Sequence, residues 1–218
     1  MSVRAAPYSS RREADRREAA RRRVAARRRR GLFVIVGFGA AIIAAILALP
    51  LFQKAVTEFN LPLQHEDIIR QQAAAKHLDP ALIAAVIYAE TKFDARPSPA
   101  GAQGLMQILP QTAEFLAHRT GATTFTTADL ATPAVNIAYG SYYLRYLLQE
   151  YGGSRIPALA AYNGGEANVS RWVAEAHARR HPLRIRDIPF PETRAYVQRV
   201  LKAQGEYRHT YAAQLGYG

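Results

Sequence analysis

The 218-residue chain contains no cysteine and comparatively few acidic residues. The missing cysteines exclude disulfide bonds, thiolate metal sites and a lipid-modified cysteine anchor. Only 17 Asp and Glu residues stand against 29 Lys and Arg residues, which gives a net charge of +12. Much of this excess lies in residues 1–30, which contain 12 arginines and three acidic residues. Basicity is therefore mainly a property of the N-terminal tail.

Several catalytic signatures are also missing. The sequence has no GxSxG motif, no Walker loop and no dinucleotide fingerprint. Its histidines form no pair at metal-ligand spacing beside a carboxylate, as a helical HExxH site would require. These absences leave nucleophilic serine chemistry and nucleotide binding without support, and we expect neither a metal nor another cofactor. There is also no alternating strand pattern longer than four residues and no internal repeat.

One long apolar run follows the basic tail. Residues 31–49 contain no charged or strongly polar side chain, and the run extends to residue 52. As a helix it would measure about 33 Å, enough to cross a hydrocarbon core of roughly 30 Å. We therefore predict a transmembrane helix over residues 31–52. A cleaved signal peptide is the alternative, although the run is long and its exit offers only a weak cleavage site.

The basic tail has two interpretations. Residues 1–30 mix Glu, Ala and Arg without interleaved aromatic residues, so they offer nucleic acid only salt-dependent phosphate contacts. Beside a membrane helix, the arginines instead indicate topology and attraction to anionic lipid headgroups. We expect no nucleic-acid partner. The predicted topology is a single pass through the inner membrane, with a cytoplasmic N-terminus and everything after residue 52 on the outer side.

Proline and glycine divide the rest of the chain into helical segments. Asp79 and Pro80 predict the start of one helix, as an N-cap and a first helical residue. Further helices are predicted over residues 65–78, 110–121, 134–153, 156–165, 166–180 and 191–207. The fold class is mainly α: a helical domain of about 150 residues behind the transmembrane helix. Residues 53–64 form a short linker, and residues 208–218 are interpreted as a frayed tail.

A glutamate interrupts the apolar pattern of the helix that begins at Pro80. Apolar residues recur there at spacings of three and four and predict one buried face: Leu82, Ile83, Val86, Ile87 and Phe93. Glu90 falls on the same face. Apolar surroundings raise the pKa of a carboxyl group, which suits a residue that donates a proton and later takes one back. A salt-bridged structural glutamate is the alternative.

Polar and small residues elsewhere also have two interpretations. Gly101 and Gly104 allow the backbone to approach a ligand, or simply serve a tight turn. Met106 can line a site or fill a gap in the core. Tyr162 and Asn163 end a helix, where a phenol and an amide could face a cleft. A stripe of tyrosines suits either packing or stacking against sugars: Tyr139, Tyr142, Tyr143 and Tyr146.

Four sequence blocks occur in an order that resembles a known enzyme family. They are AETKFDARPSPAGAQGLMQILPQTA, AVNIAYGSYYL, ALAAYNGGEANVSRWV and IPFPETRAYVQRVL. Together they closely resemble the catalytic domain of the soluble lytic murein transglycosylases, which have a lysozyme-like helical fold related to goose-type lysozymes. The resemblance covers about residues 65–207. It implies a lysozyme-like domain and a lyase that acts on the glycan strands of peptidoglycan.

The resemblance also implies roles for single residues. Glu90 falls on the family's catalytic acid/base. The other matching positions imply a sugar-binding cleft: Thr91, Gly104, Met106, Gln107, Tyr162, Asn163, Glu192 and Tyr196. The chain departs from the family pattern at three places. Thr91 replaces a serine but keeps the hydroxyl, Asp94 and Ala95 replace the common Asn-Pro, and AYNGGE replaces AYNAGP. We expect the last change to affect substrate preference rather than chemistry.

The resemblance implies a mechanism with one carboxyl group. Glu90 would protonate the oxygen between N-acetylmuramic acid (MurNAc) and N-acetylglucosamine (GlcNAc), and then accept a proton from the muramyl C6 hydroxyl as a 1,6-anhydro ring closes. A lysozyme-type hydrolase is an alternative, because Asp94 lies four residues after Glu90 and would share its face if the helix continued. We expect the helix to fray at Asp94. A catalytically idle peptidoglycan-binding module on a membrane tether is the second alternative.

The expected partners follow from this assignment. They are peptidoglycan strands and, through residues 31–52, the membrane. A tethered wall-cutting enzyme would also suit an envelope-spanning assembly.

Overall fold

The computed structural model describes residues 46–49, 56 and 61–217. The chain divides into two compact units, Met1–Thr57 and Glu58–Gly218. In the first unit, residues 46–49 are helical. The basic tail and most of the predicted transmembrane segment 31–52 lie outside the described residues. Within the part that is described, no helix has the length and apolar character needed to span a membrane.

The second unit is built from helices. Over residues 61–217, seven α-helices and two short 3₁₀ helices follow one another, and the only β-structure is an isolated bridge between Gln103 and Ile108. The α-helices are α1 (Glu66–Lys76), α2 (Pro80–Thr91), α3 (Pro110–Thr120), α4 (Pro133–Glu150), α5 (Arg155–Gly164), α6 (Glu166–Ala178) and α7 (Pro191–Thr210). The 3₁₀ helices are Thr127–Ala131 and Ile185–Asp187. The mainly α prediction is confirmed, and the predicted helix ends agree to within a few residues.

Proline and capping residues determine where the helices begin. Proline occupies the first turn of α2, α3, α4 and α7. Proline has no backbone N–H, and this costs nothing there because N–H groups of the first turn have no acceptor within the helix. Asp79 caps α2 as predicted, since its Oδ1 accepts the backbone N–H of Ala81 at 3.0 Å. At the other end of α3, Gly121 adopts φ 70° and stops the helix.

Helix α2 forms the centre of the unit, packed against α7 and α1. All seven residues from Ala81 to Ile87 are buried, so the helix is enclosed on every side and not along one face. Lys92 then turns left-handed and donates its N–H to Tyr88, which ends the helix after Thr91. The prediction that Phe93 continues the helical face is therefore wrong: Phe93 is buried, but it lies beyond the helix at φ 64°.

The C-terminal residues pack against the start of the domain. Leu215 is buried, and Tyr211 in the same segment donates its hydroxyl to the Leu61 carbonyl at 2.8 Å. Tyr217 donates to the Asp79 carboxylate that caps α2. The interpretation of residues 208–218 as a frayed tail is therefore wrong, because their aromatic rings and Leu215 are held by contacts that are distant in sequence.

Candidate active site

Glu90 lies in the last turn of α2, where the enclosed part of the helix reaches the surface. Its side chain is half-buried. Burial raises the pKa of this carboxyl from 4.5 to about 7, while the Tyr196 hydroxyl and the positive charge of Arg199 both act to lower it. At neutral pH the protonated and ionised forms are therefore both populated.

Two phenols from other helices lie beside the carboxyl. Tyr196 on α7 is buried, and its Oη makes no hydrogen bond of normal length and angle with the described residues, although it is close enough to Glu90 to shift that pKa. Tyr162 on α5 donates its hydroxyl to the Met106 carbonyl at 2.9 Å. Burial, followed by the charge of Glu90, raises the pKa of both tyrosines well above the ordinary value, so both keep their protons.

The loop after α2 is fixed by a residue that the sequence did not single out. Asn136 on α4 is fully buried, and its Oδ1 accepts the Met106 N–H at 2.8 Å. Its Nδ2 donates to the carbonyls of Gln103 and Leu130. Gly104 adopts φ 71°, and a Cβ there would lie 2.1 Å from Asn136 Nδ2. An asparagine within the apolar spacing of α4 was the available signal.

Three of the predicted site residues hold this loop in place. Thr91 donates its hydroxyl to the Leu105 carbonyl at 2.9 Å, which joins the end of α2 to the loop. Met106 is fully buried, and its side chain packs against Gly140 of α4. Gln107, at φ 49°, donates its side-chain amide to the carbonyls of Gly104 and Arg96. These contacts shape the wall of the cleft that begins at Glu90.

An open cleft of about 470 Å³ lies beside Glu90. It is lined by the end of α2 and the loop that follows: Ala89, Glu90, Thr91, Lys92, Asp94, Arg96, Pro97, Ser98 and Gln107. Asp94 is exposed, lies beyond the helix end and forms an ion pair with Arg96. The helical i,i+4 relation between Glu90 and Asp94 is therefore absent, as the expected fraying implies, although both residues line the same cleft.

The other two predicted residues are exposed. Asn163 follows Tyr162 near the end of α5, and Glu192 lies in the first turn of α7, one turn before Tyr196. The elements that carry Tyr162 and Tyr196 thus also carry Asn163 and Glu192. Among the described residues, no group of three or more His, Cys, Asp or Glu side chains is arranged to hold a metal ion.

The tyrosines of α4 extend the aromatic surface away from Glu90. The Tyr143 ring lies 5.3 Å from the Tyr162 ring and 6.2 Å from the Tyr146 ring, measured between centroids. Tyr143 and Tyr146 both donate to the carboxylate of Glu166, at 3.3 and 3.1 Å. Glu166 belongs to the AYNGGE sequence, so this departure from the family pattern places a carboxylate against the tyrosine stripe.

Residues 67–184 match the family model of the Transglycosylase SLT domain, which covers more than half of the chain. The chain belongs to this family. The resemblance to the soluble lytic murein transglycosylases that the four sequence blocks indicated is therefore confirmed.

Known proteins of this family share the domain. The soluble lytic murein transglycosylase of Salmonella typhimurium is 34% identical over 155 residues, which are 70% of this chain and 24% of that protein. The structure of an inactive glutamate-to-glutamine mutant of the lytic transglycosylase Slt from Pseudomonas aeruginosa has a TM-score of 0.65 at 32% identity, covering 72% of this chain and 26% of that one. The membrane-bound lytic murein transglycosylase C of Actinobacillus pleuropneumoniae is 29% identical over 168 residues, 67% of this chain and 46% of that protein. The chain thus spans about a quarter of the length of the first two proteins.

Proposed function

We propose that residues 65–207 form a lytic transglycosylase domain that cleaves the β-1,4 bond between MurNAc and GlcNAc in peptidoglycan, with Glu90 as the single general acid and base. The observation that carries the proposal is the position of Glu90: a half-buried carboxyl group with a pKa of about 7, at the edge of an open cleft. The named activity of the family members supports the same reaction.

The reaction needs both protonation states of one carboxyl group. Protonated Glu90 gives its proton to the glycosidic oxygen, and the bond from muramyl C1 to that oxygen breaks. The leaving GlcNAc carries the new hydroxyl. Glu90, now a carboxylate, takes the proton of the muramyl C6 hydroxyl while that oxygen bonds to C1 and closes the 1,6-anhydro ring. A pKa close to neutral pH suits both transfers, because protonated and ionised Glu90 then differ little in free energy.

The two phenols support this cycle without changing their own charge. Tyr196 holds a buried hydroxyl toward Glu90 and stabilises the carboxylate that remains after proton donation. Tyr162 donates its hydroxyl to the Met106 carbonyl, which fixes the phenol to the loop, and it lies close enough to Glu90 for that charge to help raise the pKa of Tyr162.

The predicted sugar-binding residues divide into two groups. Thr91, Gly104 and Met106 act by holding the loop, because their own groups are used in contacts within the protein. Gln107 also holds the loop, because its side-chain amide donates to the carbonyls of Arg96 and Gly104. The exposed side chains, which we propose contact the sugars directly, are those of Asn163 and Glu192.

Hydrolysis remains the second candidate because Asp94 lines the cleft together with Glu90. A two-carboxylate glycosidase would use Asp94 to activate water or to attack the sugar. Its ion pair with Arg96 and its position beyond the helix favour a role in the loop instead. The third candidate, an idle binding module, does not account for a raised glutamate pKa beside an open cleft.

We further propose that the domain is tethered to the inner membrane by residues 31–52, with residues 1–30 in the cytoplasm and residues 53–64 as linker. The length of the apolar run and the arginines before it support this topology, and one relative is named as membrane-bound. The catalytic domain would then work on the cell-wall side, close to the membrane, where an envelope-spanning assembly could use it.

Mass analysis of the released sugars tests the reaction. The full chain in detergent is incubated with purified peptidoglycan, alongside Glu90→Gln and the control Glu114→Gln, which removes an exposed carboxyl on α3. We expect products one water lighter than reducing sugars from the wild type and the control, and a loss of at least about a hundredfold in rate for Glu90→Gln. Reducing-end products would establish hydrolysis and return Asp94 to the mechanism. Binding without any product would establish the idle module.

A further inference from the structure

A second open cavity, of about 450 Å³, lies at the end of α2 opposite to Glu90. It surrounds Asp79, which caps the start of α2, whereas Glu90 lies in the last turn, about 16 Å further along the helix axis. Four basic side chains from four parts of the chain line it: His77 after α1, Arg145 of α4, Arg155 of α5 and Arg208 of α7. This basic cavity is therefore separate from the catalytic cleft.

The Asp79 carboxylate in the lining is occupied by contacts within the protein. It accepts hydrogen bonds from four donors: the backbone N–H of Ala81 and the side chains of Gln204, Arg208 and Tyr217. The Arg208 guanidinium thus has its counter-charge, and the Asp79 oxygens have little capacity left for another cation. Among the described residues, no second carboxylate lines the cavity to balance the other arginines.

Arg145 and Arg155 are the arginines that lack a carboxylate partner among the described residues. Arg155 is exposed, and its Nη1 donates to Gln204 Oε1, a neutral acceptor, at 2.9 Å. Arg145 is half-buried and has no hydrogen-bond partner in the described part of the chain. The helix dipole does not explain either charge, because Arg155 is the first residue of α5, where a cation is disfavoured, and Arg145 lies well inside α4. Two guanidinium groups of this kind in one cavity predict an anionic ligand.

The C-terminal segment 211–217 contacts both the basic cavity and the point where the chain enters the domain. Tyr211 donates its hydroxyl to the Leu61 carbonyl at 2.8 Å. Tyr217, at the other end of the segment, donates to the Asp79 carboxylate. The same short segment thus joins the entry of the chain to the rim of the cavity.

The chain before Leu61 limits how far the domain can move from a membrane anchor. Residues 53–60 can reach at most about 28 Å when fully extended. A domain that is tethered by residues 31–52 therefore keeps the basic cavity close to the bilayer. At the surface of a bilayer with anionic lipids, each nearby arginine strengthens binding about fivefold.

We propose that the basic cavity binds the phosphate groups of anionic membrane lipids, so that the domain docks on the bilayer by its Asp79 end and holds the Glu90 cleft away from the lipid. The inference rests on the tethered lytic transglycosylase proposed above. The forked donors of arginine match the two free oxygens of a lipid phosphodiester. Docking leaves the cleft accessible to glycan strands, since the cavity and the cleft lie at opposite ends of α2.

Two pairs of substitutions separate the charge of the cavity from its structure. The glutamine pair, Arg145→Gln/Arg155→Gln, removes the two arginines without carboxylate partners and leaves Arg208 on Asp79. The lysine pair, Arg145→Lys/Arg155→Lys, changes the same side chains but keeps both positive charges. Thermal unfolding of each variant identifies a loss that comes from destabilisation. The single exposed substitution Arg155→Gln, which should remove part of the docking, replaces the glutamine pair if that variant does not fold.

A fluorophore on a single introduced cysteine reports docking, because the chain has no cysteine of its own. Ser154→Cys places the fluorophore on the rim of the cavity, next to Arg155, at an exposed side chain that makes no capping hydrogen bond. Ala95→Cys places it at an exposed position in the loop that lines the Glu90 cleft. The full chain is reconstituted in phosphatidylcholine bilayers with or without phosphatidylglycerol. Quenching by nitroxide-labelled lipid headgroups is then measured.

With phosphatidylglycerol, we expect the ratio of docked to free domain to rise about tenfold or more, with strong quenching at Ser154→Cys and weak quenching at Ala95→Cys. The glutamine pair should abolish this rise, the lysine pair should keep most of it, and high salt should weaken it. Residues 1–30 are the same in every variant, so their attraction to anionic lipid cannot produce these differences. Quenching at Ser154→Cys that ignores phosphatidylglycerol, or that survives the glutamine pair, would overturn the proposal.

This measurement requires no lyase activity, so its outcome is independent of the proposed reaction. Co-flotation with phosphatidylcholine vesicles tests the tether separately. A chain that floats only with phosphatidylglycerol vesicles, and only with the two arginines present, contradicts the tether but supports the cavity. Equal quenching of the rim and cleft labels in every bilayer contradicts the docked orientation. If the glutamine pair loses binding to purified peptidoglycan but keeps its lipid quenching, the arginines bind the wall and the lipid proposal is wrong.

Discussion

At the scale of single residues, opposing effects determine the pKa of the Glu90 carboxyl. Burial raises the carboxyl pKa, whereas the Tyr196 hydroxyl and the Arg199 charge lower it, and the outcome is a value of about 7. Arg199 lies one turn after Tyr196 on α7, with Cζ 5.8 Å from that ring. It is an exposed cation that the sequence pattern did not single out, and it acts on the carboxyl through space.

Replacing Arg199 should therefore change the pH profile more than the chemistry. In Arg199→Gln the opposing charge is gone, so the pKa of Glu90 rises further. The protonated form of Glu90 then persists to higher pH. The alkaline fall in kcat/KM should therefore shift to higher pH, by roughly half a pH unit or less because Arg199 is exposed and its charge is screened by solvent. The profile of anhydro-product release against pH measures this shift.

A matched change on the same helix provides the control for Arg199. Lys202→Gln removes one exposed positive charge that is paired with Glu206, and its profile should coincide with that of the wild type. High salt should bring the wild-type profile toward that of Arg199→Gln, since screening weakens the same interaction. A downward shift, or identical shifts in both variants, would show that Arg199 does not act on Glu90 in this way.

At the scale of elements, the site depends on how the loop 101–108 is held against α4. Asn136 supplies three hydrogen bonds to the loop and its surroundings, and Gly104 makes room for the amide. Gly101 has the same left-handed conformation, at φ 81°, but no atom lies within 4 Å of a Cβ built there. A comparison of the two glycines therefore separates the free energy lost to a left-handed backbone from the free energy lost to a steric clash.

Alanine at these two positions should have unequal effects on stability. Gly101→Ala introduces only the strain of a positive φ, roughly 1 kcal/mol. Gly104→Ala adds a clash with Asn136 and the Leu130 carbonyl, so we expect a loss of about 3 kcal/mol or more in the free energy of unfolding and a matching loss of activity. Chemical denaturation of both variants measures the difference. Equal destabilisation would contradict the role given to the Asn136 contact.

The same elements show how much of the fold and site could be predicted from sequence. Proline and Asp79 give local signals, so the helix starts were predictable from neighbouring residues. Glu90 was detectable because it interrupts an apolar pattern. Asn136 and Arg199 were not singled out, since the loop groups that Asn136 binds, at Gln103 and Met106, and the carboxyl that Arg199 affects lie on other elements, 30 or more residues away. The packing of residues 211–217 was missed for the same reason: it depends on contacts with Leu61 and Asp79.

At the scale of the whole molecule, the raised pKa of Glu90 is also a cost to stability. The unfolded chain releases this proton near pH 4.5, whereas the folded domain keeps it until about pH 7. Between these values the folded state binds more protons, so the free energy of unfolding falls as the pH rises from 4.5 to 7 and then stays lower. The total contribution is roughly 3 kcal/mol at most.

A neutral residue at this position should remove that cost. Glu90→Gln has no proton to lose, so its stability relative to the wild type should grow from pH 4.5 upward and level off above pH 7, by roughly 1–3 kcal/mol. Denaturant unfolding of the full chain in detergent at a series of pH values measures the gain, and Glu114→Gln, an exposed carboxyl on α3, should follow the wild-type curve. A constant difference between Glu90→Gln and the wild type across this range would mean that Glu90 ionises normally in the folded protein. The proposed acid step would then lose its physical basis, because the residue that destabilises the domain above pH 7 is the one that must hold a proton there to cleave the glycan.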